Sequence, residues 1–475
     1  MTENKKNSPE FTPKQQEIVD QFVAKTFSTG YGVNPSEQTG AAALRPESLD
    51  ENIELLTYSL KDLDFFHRVV KRPASSTVEQ YTVLTQRGGD VSSLFVSELD
   101  IAKVTDPSLK KKAVRMKFLS STKQLSLASQ LVENIADPIN ILTDDAIVQI
   151  AKGIEWGCFY GDSDLSADGT PGAGLQFDGL AKLIDRGNVI DAGGNSLTEE
   201  LLNHAAVLVA KGYSTPTDAY MPLGVHADFV NQYLSRQVQV MNMVNPQMAE
   251  TGFNIPTFSS ARGRVNLHGS AVMELENILD IESLDVHNAP LEPKVTASIV
   301  SKAGGKFNKE GDITDYVYRV VTVGSESQSK PSKEVKATVT AATDGVKLAI
   351  APQNMYQQTP QFVKIYRQGE TTGQFYLIGQ VAASEMNEEG VIEFIDKNEV
   401  LPETTDVFIG EMAPSIIHLF ELLPMTRIPL AQHNATHTFT VLWYGALALR
   451  KPKAWVRIKN VRYIPVSDPH GINLR

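Results

Sequence analysis

Residues 143–161, TDDAIVQIAKGIEWGCFYG, are the stretch that decides the fold. Apolar side chains recur every three or four positions, which is typical of a helix with one buried face. Thr143 is a suitable N-cap, and the two aspartates after it suit the positive end of the helix dipole. We therefore expect a helix over 143–161. Its buried face should carry Ile147, Ile150, Ala151, Ile154 and Cys158.

Residues 161–174, GDSDLSADGTPGAG, follow this helix and combine alternating acids with clustered glycines. A calcium loop needs glycine at its sixth position and glutamate at its twelfth, where this run has Ala167 and Ala173. A phosphate-binding loop needs glycines that lead into a helix, often with a lysine followed by serine or threonine, and this run has neither. The pattern favours a bend that leaves the helix.

Composition excludes several classes of protein. The 475 residues include 44 basic and 56 acidic side chains, a net charge of −12, which argues against a broad surface for nucleic-acid phosphates. The single cysteine rules out an intrachain disulfide. We find no apolar run long enough to span a membrane and no apolar core of a secretory signal. We therefore expect a protein of a cytoplasm, or of an assembly formed there.

Catalytic motifs are absent from the sequence. It contains no nucleophile elbow, no P-loop and no His-Glu-x-x-His zinc motif. His433 and His437 are four residues apart but have no third ligand at suitable spacing, so a surface or packing role is expected. Trp443 and Trp455 should pack within strands. We expect no catalytic, metal or cofactor site, and not an enzyme.

Two segments predict a ribbon of two long strands. Residues 76–91 and 110–127 both alternate between apolar and polar side chains, and glycines follow the first segment. Val114, Met116 and Phe118 should share one face. The faces are too polar for the ribbon to be buried alone, and an isolated ribbon is marginally stable. Together with a mobile N-terminal arm, the ribbon indicates a subunit that neighbours complete.

The remaining segments divide into two kinds. Residues 177–285 mix helices, such as 198–212, with short strands. Residues 290–405 instead carry short alternating strands at regular spacing, separated by turn residues and bordered by prolines, which is typical of a β-sandwich of about a hundred residues.

The sequence resembles the major capsid protein of tailed bacteriophages, a fold shared with herpesvirus capsids, and most closely that of large myophages of Gram-positive bacteria. The resemblance spans nearly the whole chain. It is carried by FSTGYGVNP (27–35), DLDFFHRVVKRPASSTVEQY (62–81), NIADPINILTDDAIVQIAKGIEWGCFYGD (134–162), FDGLAKLID (177–185), TDAYMPLGVHADFVN (217–231), MYQQTPQFVKIYRQG (355–369), HLFELLPM (418–425), VLWYGALALR (441–450) and WVRIKNVRYI (455–464).

The resemblance implies an α+β chain with the layout of a tailed-phage capsid protein. The implied segments are a leader (1–27), an N-arm (28–75), an extended loop (76–122), a peripheral domain with the spine helix (123–165), an axial domain (166–289), an inserted sandwich (290–405), an axial return (406–434) and the C-terminal peripheral strands (435–475). The insert departs from the minimal family pattern. It looks like an immunoglobulin or fibronectin type III module, because residues 321–332, VTVGSESQSKPS, resemble a strand and turn of the latter.

The same resemblance implies a function and partners. The chain would self-assemble into hexamers and pentamers of an icosahedral head, built in the host cytoplasm and found in the virion. Its partners would be other copies, a portal, a scaffold, a maturation protease and enclosed double-stranded DNA bound without sequence specificity, but no membrane. The expected cleavage lies between Lys25 and Thr26. Contacts with a neighbouring subunit are expected from Arg87, Lys110, Lys111 and Lys112.

An alternative remains open from the residues alone. A soluble multidomain enzyme or a carbohydrate-binding protein with an accessory β-sandwich would also combine an α/β segment with residues 290–405.

Overall fold

The chain is an α+β protein, as expected from its sequence. The computed structural model describes residues 62–86, 95–98, 101, 106–127, 129, 137–241, 255–275, 277–280, 289–307, 314–325, 327–353, 358–431 and 435–463. Helices α1–α6 are Asp64–Arg68, Pro138–Tyr160, Leu180–Leu183, Glu199–Lys211, Leu223–Met241 and Ala271–Leu275. In the described part of the chain, no helix has the length and apolarity that crossing a membrane requires.

The strands are numbered in chain order. Strands β1–β19 are Lys71–Pro73, Val78–Gln86, Ser108–Arg115, Lys117–Ser126, Val189–Asp191, Asp218–Pro222, Thr257–Ser260, Gly263–Ser270, Leu291–Val300, Thr314–Val323, Val335–Val339, Gly345–Gln353, Phe362–Gln368, Phe375–Ala382, Ile392–Asp396, Thr404–Gly410, Ile417–Pro429, Thr436–Leu449 and Trp455–Arg462.

The long helix α2 begins five residues earlier than predicted. Asp137, not Thr143, is its N-cap and accepts a hydrogen bond of 2.9 Å from the Ile139 amide, while Pro138 occupies the first turn. Thr143 lies inside the helix, where its hydroxyl donates to the Ile139 carbonyl. An aspartate followed by proline is itself a strong signal for the start of a helix. The prediction instead used Thr143, which also suits an N-cap. Ile150, Ala151, Ile154 and Cys158 are buried, as expected.

A four-stranded sheet lies beside α2, with the strand order β1-β17-β18-β4. The long antiparallel strands β17 and β18 form its centre. The two elements are joined by apolar packing and by the Ser121 hydroxyl of β4, which donates to Gln149 of α2 at 2.7 Å. Trp443 of β18 is fully buried and lies 6.0 Å from the Phe177 ring, ring centre to ring centre.

A second sheet has six strands in the order β5-β19-β16-β6-β8-β7. Strand β5 pairs in parallel with β19, and β6 with β8, whereas the other three pairs are antiparallel. Helices α4 and α5 cover one face of this sheet, where Leu202, Val209 and Phe229 share a core with strand residues such as Val407 and Ile458. Thr198 caps α4 through its hydroxyl, at the predicted helix start.

The C-terminal strands divide between the two sheets differently from the expected boundary at 434/435. Strand β17, Ile417–Pro429, was placed with the axial return, but it pairs with β18 in the four-stranded sheet. Strand β19, Trp455–Arg462, was placed with the peripheral strands, but it lies in the six-stranded sheet next to β16. Both strands are apolar, and only the long-range pairing assigns each of them to a sheet.

The predicted strand at 110–127 is two strands. It breaks at Met116, which is 4% exposed, and the chain passes there from the ribbon to the four-stranded sheet. Phe118 was expected to share a face with Met116, but it is 61% exposed. The change of sheet interrupts the alternation on which that expectation depended.

Residues 291–396 form seven strands in two antiparallel sheets, ordered β11-β10-β13-β14 and β15-β12-β9. Their facing sides share one apolar core, which includes Val320, Leu348 and Ile365. Inside this core Arg367 forms an ion pair of 2.5 Å with Asp396, and Tyr318 donates to the same carboxylate. The pair is acceptable in the interior because the Asp396 oxygens are hydrogen-bonded.

The two larger sheets meet at the end of α2. Phe159 of α2 stacks on Phe408 of the six-stranded sheet with ring centres 5.5 Å apart, and Phe65 of α1 lies 4.9 Å from Phe159. One turn earlier, the buried Glu155 accepts hydrogen bonds from the Ser270 hydroxyl and the Phe66 amide. Burial raises the pKa of Glu155 from 4.5 to about 7, outweighing these two hydrogen bonds.

We predict that Glu155→Gln makes the stability of the chain less dependent on pH. Between about pH 4.5 and 7 the unfolded chain loses the Glu155 proton and the folded chain keeps it, so the free energy of unfolding of the native protein falls as pH rises. The variant should remove roughly 3 kcal/mol of this decrease. Each unit by which the folded-state pKa of Glu155 exceeds its unfolded-state pKa contributes about 1.4 kcal/mol.

The measurement is urea unfolding of the unassembled chain at pH 5 and pH 8. Glu388→Gln, which changes an exposed acid, is the control and should leave the difference between the two pH values unchanged. The prediction is contradicted if the free energy of unfolding of Glu155→Gln decreases between pH 5 and pH 8 as much as that of the native chain.

Candidate functional site

The ribbon of β2 and β3 is the feature most suited to binding a partner. Its strands are antiparallel, with Tyr81 opposite Lys112 and Leu84 opposite Leu109. Because side chains alternate along a strand, the ribbon has two different faces. On the inner face Tyr81 is buried and Val83 packs against the main core.

The outer face of the ribbon exposes apolar side chains. Leu84 is 47% exposed and its cross-strand neighbour Leu109 is 62% exposed. In the chain segment that connects β2 to β3, Phe95 is 82% exposed and Ile101 is 95% exposed. Exposed apolar groups concentrated in one short segment of a chain are typical of a protein–protein contact.

The predicted contact residues are only partly described. Lys110, Lys111 and Lys112 lie within β3, opposite Val83, Thr82 and Tyr81, and all three are exposed. They belong to the paired part of the ribbon, because β3 begins at Ser108. Alternation places Lys111 on the outer face with Leu109 and the other two lysines on the inner face.

The remaining predicted site residues, Lys25, Thr26 and Arg87, lie outside the described residues, as does His433 of the histidine pair.

The base of the ribbon is fixed to the four-stranded sheet. The Tyr81 hydroxyl donates to the Leu449 carbonyl, and the Arg450 guanidinium lies over the Tyr81 ring at 5.6 Å from its centre. The Met116 amide donates to the Thr77 carbonyl where β3 ends. These contacts attach one end of the ribbon to the four-stranded sheet.

The glycine-rich loop at 161–174 is a bend closed by two lysines. The Lys182 ammonium lies 2.5 Å from Asp162, 2.7 Å from Asp164 and 2.9 Å from Asp178. Burial alone would lower the pKa of Lys182, but hydrogen bonds to these three carboxylates raise it above its usual range. The acids that resembled calcium ligands thus surround an ammonium group.

The second lysine comes from the neighbouring sheet. Lys117, the first residue of β4, donates to the carbonyls of Gly172 and Gly174, and burial lowers its pKa. Among the residues that the structure describes, no group of three histidine, cysteine, aspartate or glutamate side chains could hold a metal ion. Neither lysine was predicted, because a lysine carries no sequence signal for the carbonyls it will meet.

A polar network joins α1 to the six-stranded sheet. The two ring nitrogens of His268 lie 2.7 Å from Asp64 and 3.0 Å from Asp218, and Arg68 lies 2.6 Å from Asp218. Burial would raise the pKa of Asp218, but hydrogen bonds from His268 and Thr217, together with the Arg68 charge, hold it below its usual range.

This network lacks the geometry of a catalytic triad. In the described part of the chain no hydroxyl or thiol hydrogen-bonds to His268, and both ring nitrogens already face carboxylates. Cys158 is fully buried, and burial raises the pKa of its thiol well above the usual value. Trp443 and Trp455 are buried within strands, as expected. The network therefore serves to hold α1 in place.

The sandwich is attached to the body by backbone pairing and apolar packing. The Leu279 amide donates to the Phe375 carbonyl, and the Leu377 amide donates to the Asn277 carbonyl, both at 2.9 Å. On the same side, Phe362 packs against Leu165 of the 161–174 loop. The face of the four-stranded sandwich sheet thus lies on the body, and the opposite face of the three-stranded sheet carries exposed side chains.

Comparison with known proteins identifies relatives by sequence. No protein-family model matches the chain. It is 54% identical over 468 residues to the putative major capsid protein of Enterococcus phage phiEF24C, covering 98% of this chain and 99% of that protein. It is also 54% identical over 455 residues to the major capsid protein of Staphylococcus phage S25-3, covering 95% and 98%.

Solved structures match less closely. The holo-SrpI encapsulin complex from Synechococcus elongatus PCC 7942 has a TM-score of 0.44 and 10% identity, covering 89% of this chain and 96% of that one. The capsid of a native GTA particle has a TM-score of 0.45 and 8% identity, covering 90% and 100%.

The sequence relatives decide between the two readings of the chain. They match it over nearly its full length and are named as capsid proteins, which confirms the resemblance. They do not support the alternative of an enzyme or a carbohydrate-binding protein. The chain therefore belongs to the family of bacteriophage major capsid proteins.

Proposed function

We propose that many copies of this chain form the hexamers and pentamers of an icosahedral head that encloses double-stranded DNA. The observation that supports this best is the ribbon, whose outer face exposes Leu84 and Leu109 while its base is fixed to the body. An isolated two-stranded ribbon is marginally stable in water, so a neighbouring copy that covers this face would supply the missing burial.

The tailed-phage capsid layout accounts for the arrangement of the elements. In this proposal α1 belongs to the N-arm, the ribbon is the extended loop, and α2 is the spine helix of a peripheral domain that contains the four-stranded sheet. The six-stranded sheet with α4 and α5 is the axial domain. The pairing of β17 with β18 and of β19 with β16 supports assigning β17 to the peripheral domain and β19 to the axial domain.

Charge supports DNA enclosure without sequence-specific binding. The chain carries a net charge of −12, so its surface as a whole repels nucleic-acid phosphates. Portal, scaffold and maturation protease complete the proposed set of partners, with assembly in the host cytoplasm. The work of the subunit is then mechanical, and no catalytic step is assigned to it.

The insert is proposed to be an immunoglobulin-like or fibronectin type III-like module that projects outward. Two antiparallel sheets of four and three strands around one core support this assignment. Its three-stranded sheet turns Thr296 and Ser298 away from that core, and both are exposed. With the four-stranded sheet on the body, this exposed face is the one available to solvent.

We predict that a shortened ribbon abolishes shell formation but not folding. Residues 87–107 are replaced by Asn-Gly, which closes a two-residue hairpin because Gln86 lies opposite Ser108. The chain should remain soluble with an unchanged circular dichroism spectrum, since the core lies elsewhere. Light scattering and electron microscopy should show no stable shells, because Phe95 and Ile101, the most exposed apolar side chains of the proposed contact, are lost. Heat-stable shells of normal size from this variant contradict the proposal.

The same assay tests the three ribbon lysines. Replacing Lys110, Lys111 and Lys112 together by glutamine should raise the concentration at which shells form. The charge-matched control replaces three exposed lysines of the insert, Lys330, Lys333 and Lys336, and should not change it. Equal effects of the two triple variants would show that net charge, rather than a ribbon contact, governs assembly.

We predict that the outer face of the insert is accessible on intact particles. Cys158 is the only cysteine and is fully buried, so Ser298→Cys introduces a single reactive thiol. A polyethylene-glycol maleimide too large to enter the shell should label the intact variant particle as completely as the disrupted one. The native particle is the control. Labelling that requires disruption places the insert on the inner wall and contradicts the prediction.

We predict that a maturation protease removes the leader near Lys25 and Thr26, and that Phe27 onward is kept as the N-arm. The sequence of residues 1–25 predicts a short charged helix, and a helix of this length gains little stability alone, which suits a transient role in the immature shell. Intact mass spectrometry of the capsid band from mature virions measures this directly. A mass that begins at residue 1 or 2 rejects cleavage.

A further inference from the structure

Three cationic or imidazole side chains share one face of the four-stranded sheet. Arg72 of β1 lies opposite Phe420 of β17, so the two side chains share a face. His418 is two residues before Phe420 and lies opposite Ala448 of β18. Arg450 follows Ala448 by two residues, which directs it to the same face. The four-stranded sheet therefore brings Arg72, His418 and Arg450 together at one end.

The imidazole of His418 has no polar partner. The residue is fully buried, neither ring nitrogen makes a hydrogen bond, and the ring meets Phe420 edge-on with centres 4.5 Å apart. Burial, followed by the charges of Arg450 and Arg72, lowers the pKa of His418 to about 4, so the ring is neutral at physiological pH. A buried polar group without a partner is costly, and His418 is too deeply buried to meet a ligand itself, so the accessible donors of this face are those of the two arginines.

The two guanidinium groups have unused donors as well. Arg72 donates one hydrogen bond, of 2.8 Å, to the Pro414 carbonyl. The guanidinium of Arg450 lies over the Tyr81 ring, and its Nε is buried without a hydrogen-bond partner. Across the described ranges, neither arginine forms an ion pair with an aspartate or glutamate, so two positive charges lack a counter-ion.

We propose that Arg72 and Arg450, which flank the buried His418 on one face of the sheet, form a binding site for a carboxylate, supplied in the shell by a second copy of the chain. A carboxylate can accept paired hydrogen bonds from the guanidinium groups, and it offsets the repulsion between the two cations. The source of this carboxylate rests on the proposed function, whereas the existence of the site does not.

Two observations favour a neighbouring copy as the source. The chain has an excess of carboxylates, 56 acidic against 44 basic residues, so another copy presents many candidate ligands. The site also adjoins the base of the ribbon, because Arg450 stacks on Tyr81, and the ribbon is the element proposed to contact neighbours. A ligand here would therefore join the intersubunit contact at the base of the ribbon, where Arg450 stacks on Tyr81.

The site is tested on the unassembled chain with acetate and inorganic phosphate as probes. Thermal unfolding is measured in acetate, phosphate and chloride at equal ionic strength. The native chain should show a higher midpoint in acetate and phosphate than in chloride, because a bound anion stabilises the folded state. The double variant Arg72→Gln, Arg450→Gln should lose this rise.

The control is the double variant Arg262→Gln, Arg264→Gln, which removes two exposed arginines of the β7–β8 hairpin and should keep the rise. An equal midpoint of the native chain in all three salts overturns the site. An undiminished rise in the Arg72 and Arg450 double variant overturns it too.

The source is tested on assembled particles by electron microscopy at side-chain resolution. The expected result is a carboxylate of a neighbouring copy within hydrogen-bond distance of the Arg72 or Arg450 guanidinium. A carboxylate of the same chain, or a nucleic-acid phosphate, at that position overturns the assignment to a second copy. A chain that forms no shells refutes the proposed function and overturns that assignment, but leaves the anion measurement on the unassembled chain to be judged by itself.

Discussion

The fold depends on a close approach of backbone segments at the end of α2. Gly161 ends the helix, and the chain returns through Gly179, whose amide donates to the Gly161 carbonyl at 2.8 Å. A β-carbon at Gly179 would lie 2.5 Å from the Gly157 carbonyl oxygen, and one at Gly157 would lie 2.7 Å from the Phe177 ring. Only glycine permits this return. It brings Phe177 under Trp443 and continues into the six-stranded sheet, so both sheets depend on it.

Internal charge is neutralised in one region and left unpaired in another. At the 161–174 loop, Lys182 is surrounded by three carboxylates, and each charge has a partner within the chain. At the ribbon base, Arg72 and Arg450 have no such partner among the described residues. A subunit that completes its contacts only in an assembly is expected to show this difference, because a side chain that pairs with a neighbouring copy has no partner in the isolated subunit.

The sandwich of residues 291–396 has an apolar core of its own, but it is also attached to the rest of the chain. Its own apolar cluster contains no residue of the two larger sheets, which suits a unit that folds around itself. Yet Tyr376 belongs to the core of the six-stranded sheet, and backbone hydrogen bonds connect Phe375 and Leu377 to residues 277–279. These contacts hold residues 375–377 of the sandwich against the rest of the chain.

The sequence by itself determined the α+β class, the existence of α2, the ribbon and the sandwich strands, because these depend on local periodicity and turn residues. It also carried the family resemblance. Only the tertiary structure decided that β17 and β19 lie in different sheets, that Phe118 is exposed, and that Lys182 pairs with the aspartates of the 161–174 loop. Each of these depends on which distant segments pair, and alternation along one strand contains no information about its partner.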